Sequence, residues 1–222
     1  MKKIIVTIIS GLFLCSTYAS AEVGVNIGVS GTLGIFGATA KETLSSDSGA
    51  RAGNTAQDTE IAAIGYGSVF IEKEFGMFSI GVDYVPTPFE SDTVETQKMD
   101  KRTEQSDTVT AGVNKVQVDL EDLYSVYLAM NITENSYIKA GITSVDVITN
   151  ENMNTGASYG NTSLDGTMVG VGINNELDNG LFWRLEGVYM NFDGTSLTSG
   201  DNTINLKSVD GVNGTLSIGK SF

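Results

Sequence analysis

The sequence predicts an all-β protein, an eight-stranded antiparallel up-and-down transmembrane β-barrel with short turns at one end and long loops at the other. Three observations predict it. Apolar residues alternate with small or polar ones in eight separate segments, the period of a strand whose two faces meet different surroundings. The connections between these segments alternate strictly between short and long. After residue 15 no apolar run approaches the roughly 20 residues that a spanning helix requires, so any crossing of a bilayer falls to strands.

The first 21 residues have the three-part layout of a secretory signal peptide: Lys2 and Lys3, the apolar stretch Ile4 to Cys15, and Ala19-Ser20-Ala21. Cleavage after Ala21 starts the mature chain at Glu22, so residues 1–21 are expected to be the signal peptide and residues 22–222 one barrel domain. Without the leader, 11 basic residues stand against 27 acidic ones, a net charge of −16. That excess argues against nucleic acid as a partner. The mature part has no cysteine, and the whole chain has no histidine, 26 glycines and 2 prolines.

The strands follow in order. The first, about 23–36, sets Val23, Val25, Ile27, Val29, Leu33 and Ile35 against Asn26, Gly28, Ser30 and Thr32. In the second, about 60–73, Ala62, Ile64, Tyr66 and Phe70 oppose Ala63, Gly65 and Gly67, with the glycine side expected to face inward. Phe78, Ile80, Val82 and Tyr84 oppose Ser79, Gly81 and Asp83 in the third. The fourth, about 115–130, carries Val116, Val118, Leu120, Tyr124, Val126, Leu128 and Met130 on one side and Gln117, Asp119, Glu121 and Ser125 on the other. In the fifth, Ile138, Ala140 and Ile142 oppose Lys139, Gly141 and Thr143, after which Val145 and Val147 reverse the phase; a bulge near Thr143 is expected. The sixth alternates Val169, Val171 and Ile173 with Gly170, Gly172 and Asn174. The seventh alternates Leu181, Trp183, Leu185 and Tyr189 with Arg184 and Glu186. Val212, Leu216, Ile218 and Phe222 oppose Asn213, Thr215, Ser217 and Ser221 in the last.

Tight turns fall near Glu74-Phe75-Gly76, Thr133-Glu134-Asn135 and Leu177-Asp178-Asn179-Gly180, and long polar stretches cover about 37–59, 87–114, 148–165 and 193–208. All the short turns therefore lie at one end, the asymmetry of outer-membrane barrels. A soluble ligand-carrying barrel also alternates, but its interior is apolar. Here the less apolar faces carry charge, and the opposite faces hold rings too bulky to fill a narrow interior. Lipid offers no partner to an unpaired amide, so such a chain crosses only as a closed barrel. Two aromatic girdles are expected: Phe75, Phe78, Tyr137, Trp183 and Phe222 toward the short turns, and Phe36, Tyr84, Phe89, Tyr189 and Phe192 toward the long loops.

The signal peptide, the strand count, the loop asymmetry and the ending Val212-Asn213-Gly214-Thr215-Leu216-Ser217-Ile218-Gly219-Lys220-Ser221-Phe222 resemble the small eight-stranded outer-membrane β-barrels. That group includes the OmpA transmembrane domain, OmpX, OmpW and the neisserial opacity proteins, and the resemblance covers essentially the whole mature chain. It implies location in the cell outer membrane, with short periplasmic turns and extracellular loops. It also implies that Phe222, Ile218 and Leu216, with Val212, form the terminal assembly signal read by the barrel assembly machinery. Lys220 departs from that pattern, although a lysine stem can snorkel at the interface.

No catalytic residue, cofactor or metal site is expected. Serine lacks a histidine to activate it, and the acidic loop residues lack an EF-hand spacing. Asp83, Asp119, Glu121, Lys139, Arg184 and Glu186 are expected to form a charge network in the lumen. Side chains fill an eight-stranded interior, so the network reads as a plug, with a narrow conductance as the alternative. The long loops are the place for recognition. Lys98, Lys101 and Arg102 are candidates to meet lipopolysaccharide phosphates, beside outer-membrane lipid and a surface ligand reached through the loops. The expected function is structural or surface interaction through those loops; a narrow porin-like or OmpW-like channel for small or apolar solutes is the alternative.

Overall fold

The computed structural model describes residues 24–43, 55–90, 94–101, 109–152, 158–199 and 202–222. The expected signal peptide lies outside them. Eleven strands make one antiparallel sheet: β1 (Val25–Thr43), β2 (Thr55–Phe75), β3 (Phe78–Tyr84), β4 (Phe89–Glu90), β5 (Val94–Lys101), β6 (Val109–Asn131), β7 (Ser136–Asn152), β8 (Thr162–Glu176), β9 (Leu181–Phe192), β10 (Thr195–Ser199) and β11 (Asn202–Ser221). β3, β4 and β5 all pair with β6 and form one interrupted stave, and β9 and β10 form another along β11. The staves thus number eight, and β11 returns to pair with β1 from Asn26↔Ser221 to Thr43↔Thr203. At the seam the Phe222 amide donates to the Val25 carbonyl at 2.9 Å, so the last residue helps to close the ring.

The outward face is apolar and exposed. Ile27, Val29, Leu33 and Ile35 on β1, Ile138 and Ile142 on β7, Val169, Val171 and Ile173 on β8, Leu181, Trp183, Leu185 and Tyr189 on β9, and Val212, Leu216 and Ile218 on β11 all point out; Leu33 is 76% exposed. Contiguous apolar surface on this scale is a lipid face. On β1 the belt runs from Ile27 to Ile35. That matches the ~10 tilted residues that cross the ~25 Å apolar band of such barrels.

Five inward aromatic rings lie directly across from a glycine on the neighbouring strand: Phe70 on Gly28, Phe36 on Gly211, Tyr127 on Gly81, Tyr137 on Gly172 and Phe182 on Gly219. A Cβ on any of these glycines would sit within 2.1–2.5 Å of ring atoms. Glycine there makes room for a ring that no other residue would admit, and the ring covers backbone that glycine leaves bare.

Four expectations are corrected. In β2 the phase is the reverse of that expected: Tyr66, Ser68, Phe70 and Glu72 turn inward, while Ile61, Ala63, Gly65, Gly67 and Val69 face out. The bulge lies beside Thr143 but on the partner strand: the extra residue is in β6, across from Ser144–Asp146, and not in β7. Register slips between Glu121 and Tyr124, where Asp122 has φ 49°, while β7 pairs with β8 without interruption from Ser136 to Val147. Asp tolerates that left-handed conformation better than most residues. Val145 and Val147 keep the inward phase of Lys139 and Thr143, because the interior itself becomes apolar at that height. Of the girdle aromatics, Tyr137, Phe36, Phe89 and Phe192 turn inward, whereas Phe75, Phe78, Trp183, Tyr189 and Phe222 are exposed on the outside.

Finally, much of the expected long loops is strand. β1 and β2 stay paired as far as Thr43↔Thr55, and β6 and β7 as far as Lys115↔Asn152. The sheet therefore overruns the lipid belt at one end as a crown of paired hairpins. The charged Lys98 and Lys101 belong to β5, but their side chains, and Arg102 altogether, lie outside the described residues.

Candidate functional site

The lumen is built in two tiers. The lower tier, near the short turns, is polar because β2, β7 and β9 direct ionised residues inward close to their short-turn ends: Glu72, Lys139, and Arg184 with Glu186. Arg184 Nη1 donates to Glu72 Oε1 at 2.6 Å, with the two side chains 10% and 3% exposed. Glu72 also accepts from Tyr127 Oη at 2.7 Å and from Asn26 Nδ2 at 3.3 Å. The guanidinium lies over the rings of Phe182, Phe70 and Tyr137, at 4.5, 5.5 and 5.7 Å from their centroids. That packing suits a cation held away from water. A second pair, Lys139 Nζ to Glu186 Oε1 at 2.6 Å, is joined by Tyr137 Oη at 2.7 Å from the same carboxylate. Paired charges with extra hydrogen bonds are the form in which ionised groups survive burial.

The upper tier is apolar. Val85, Leu123, Val145, Leu164, Met168, Val188, Met190 and Phe192 pack together above the charges, with Phe36, Tyr66 and Phe89 against them. Tyr66 and Phe89 stack with centroids 5.5 Å apart. Between the tiers is a small cavity bounded by Asp83, Lys139, Glu186, Asn213 and several hydroxyls on one side and by Met168, Val188 and Met190 on the other. Ser68 donates to Asp83 at 3.0 Å.

Of the six residues expected in the lumen network, the barrel brings Asp83, Lys139, Arg184 and Glu186 together. Asp119 and Glu121 are elsewhere. On the crown side of the bulge Leu120 faces the interior cluster, so its two neighbours point outward, Glu121 exposed and Asp119 accepting from Asn150 Nδ2 at 2.6 Å. They belong to the projecting crown. Glu72, the centre of the lower tier, was missed. Its signal was its own parity: Ser68 and Glu72 lie on the same side of the strand as Tyr66 and Phe70, and lipid will not accept a carboxylate at that depth. Of the residues expected to form the assembly signal, Leu216, Ile218 and Phe222 form an exposed outward row, with Lys220 Nζ 5.6 Å from the Phe222 ring centroid.

No family model matches the chain, and no curated protein matches it. Solved structures do. The outer membrane protein OprG of Pseudomonas aeruginosa superposes with a TM-score of 0.51 at 11% identity, covering 88% of this chain and 96% of that one. The fold is that of the outer-membrane β-barrels. The outer membrane protease OmpT of Escherichia coli is similar at a TM-score of 0.47 and 11% identity, over 93% of this chain and 100% of that one. The attachment invasion locus protein Ail of Yersinia pestis is similar at 0.31 and 11%, over 85% and 98%. At these identities the likeness is one of architecture, which hosts many activities, so what distinguishes this barrel lies in its own lumen and crown.

Proposed function

We propose that this chain is a non-enzymatic outer-membrane protein, delivered by a cleaved signal peptide, that works through its projecting hairpins while its lumen stays shut. The observation that carries the reading is the stacking of two closures in one narrow barrel: the Arg184–Glu72 and Lys139–Glu186 pairs below and the apolar cluster around Met190 and Phe192 above. Water-filled conduction would have to break both. The crown is the surface left for recognition, with lipopolysaccharide and a surface ligand as its proposed partners. The outward row ending at Phe222 is proposed to be read during barrel assembly. The test is the full barrel in planar bilayers: the expected record is a flat baseline, and discrete openings abolished by Arg184→Met or Lys139→Met would overturn the closed-lumen reading.

A second reading is favoured by one observation. The upper interior is lined by Val, Leu, Met and aromatic side chains, the lining that an apolar solute would meet in a narrow conduit. Uptake of a small apolar solute by cells expressing the protein, lost on Met190→Lys, would support the conduit and count against the crown.

A further inference from the structure

We propose that the mid-barrel cavity is a binding site for one small monovalent cation, held by the Asp83 carboxylate and the side-chain oxygen of Asn213. The first observation is a charge that does not close. Three carboxylates, Glu72, Asp83 and Glu186, face the interior together with two bases, and each base is committed: Arg184 to Glu72 and Lys139 to Glu186, both at 2.6 Å. Asp83 has the Ser68 hydroxyl at 3.0 Å, and among the described residues no base is in ion-pair contact with it; the nearby Lys139 acts on it only from a distance, with its own contact spent on Glu186. A carboxylate inside a barrel needs a counter-charge or it forfeits its hydration without return.

The second observation is independent of the first. Asn213, 4% exposed, has neither its amide oxygen nor its amide nitrogen hydrogen-bonded, and it lines the same cavity as Asp83. A buried amide with both ends unmet points to an occupant that supplies them.

The polar part of the lining suits a cation: Thr32, Tyr66, Ser68, Ser125 and Thr215 add hydroxyl oxygens to the cavity wall, and Met168, Val188 and Met190 close it on the apolar side. The room is about 30 Å³ for the centres of water-sized occupants, enough for one or two of them. In the proposed site one sodium-sized ion takes the Asp83 carboxylate and Asn213 Oδ1 as ligands, and a single water accepts from Asn213 Nδ2. One unpaired carboxylate beside neutral hydroxyl and amide oxygens matches the charge of a monovalent ion better than that of a divalent one, which usually gathers several carboxylates. Lys139 borders the cavity with its charge met by Glu186, its ammonium 5.0 Å from the centroid of the Tyr127 ring.

The test is urea unfolding of the full barrel refolded in detergent micelles, at one ionic strength set by sodium chloride or by choline chloride, whose cation is too large to enter. Fluorescence of Trp183, the single tryptophan, reports unfolding. A site that binds sodium only when folded lowers the unfolding constant by 1 + [Na⁺]/Kd, about elevenfold at ten times Kd. The wild type is expected to resist urea better in sodium than in choline. Asp83→Asn, which removes the charge, and Asn213→Ala, which removes the second oxygen, are each expected to abolish that difference, and either variant suffices if the other fails to fold. Equal midpoints in the two salts for the wild type, or an undiminished sodium effect in Asp83→Asn, would overturn the site.

Discussion

Removing Arg184 gives the sharpest measure of what holds the lumen shut. In Arg184→Met the Glu72 carboxylate remains buried with only Tyr127 and Asn26 to answer it. Two unit charges about 4 Å apart at an effective dielectric constant of about 20 attract by about 4 kcal/mol, and breaking a buried pair from one side costs about 3–5 kcal/mol. Glu72→Gln strands the guanidinium instead, but three aromatic rings still face it. At about 0.5–1 kcal/mol or more per ring, that variant should lose less, about 2–4 kcal/mol. The double variant leaves no unpaired charge and should cost far less than the two single losses together, because neutral replacements of buried pairs are often tolerated. The coupling should therefore be about 3–4 kcal/mol, read as a double-mutant cycle from urea unfolding of the refolded barrel. Additivity within about 0.5 kcal/mol, the behaviour of sites that do not touch, would refute the pair as the lower closure.

Three further outcomes are expected. Trp183, 41% exposed on the apolar wall, should be quenched strongly by lipids brominated on their acyl chains; quenching by an aqueous quencher in its place would turn the barrel inside out. Gly172→Val would place its Cβ 2.4 Å from the Tyr137 ring and should cost about 1–3 kcal/mol by overpacking, whereas Gly187→Val, whose Cβ meets nothing within 4 Å, should stay within about 0.5 kcal/mol. Equal costs at the two positions, measured by urea unfolding, would show that the ring-on-glycine fit is incidental. Leu185→Arg on the lipid face should cost up to about 2–4 kcal/mol, and Glu60→Arg on the crown almost nothing; a tolerated Leu185→Arg would mean that water, not lipid, bathes that wall.

The barrel itself was legible because parity along a strand is a one-bit signal repeated many times. β1, β8, β9 and β11 each carry several votes for the same face, and a single exception cannot reverse them. β2 misled because its votes were aromatic: Tyr66 and Phe70 are as apolar as any lipid-facing ring, and only partners on other strands, Gly28 across from Phe70 and Phe89 stacked on Tyr66, explain why they turn inward. That partnership depends on register between strands about 40 residues apart, which no single strand contains. Val145 and Val147 misled for the opposite reason. An apolar residue in an inward position looks like a slip of phase when the whole interior is assumed polar, yet here the interior changes character half-way up. The real slip, at Asp122, is hidden in sequence because Leu120 and Leu123 on either side of it are both inward and both apolar.

The same half-way change bears on how the protein works. A polar interior throughout would let water enter from the crown and loosen the ion pairs one by one; an apolar tier above them removes that route and keeps the local dielectric low, where paired charges hold most firmly. On the proposed reading, that closure frees the crown from any duty to conduct. Because β1 with β2 and β6 with β7 remain paired beyond the lipid belt, that crown is preordered, and a preordered surface loses less conformational freedom on binding than an unpaired loop. Recognition through paired hairpins therefore depends on which side chains each hairpin turns outward, and a one-residue register slip in the crown exchanges every one of them for its neighbours. An insertion of one residue between Thr55 and Glu60 should on this reasoning alter surface binding more than deletion of one residue from the segment between β1 and β2, while heat stability of the lipid-embedded part stays unchanged.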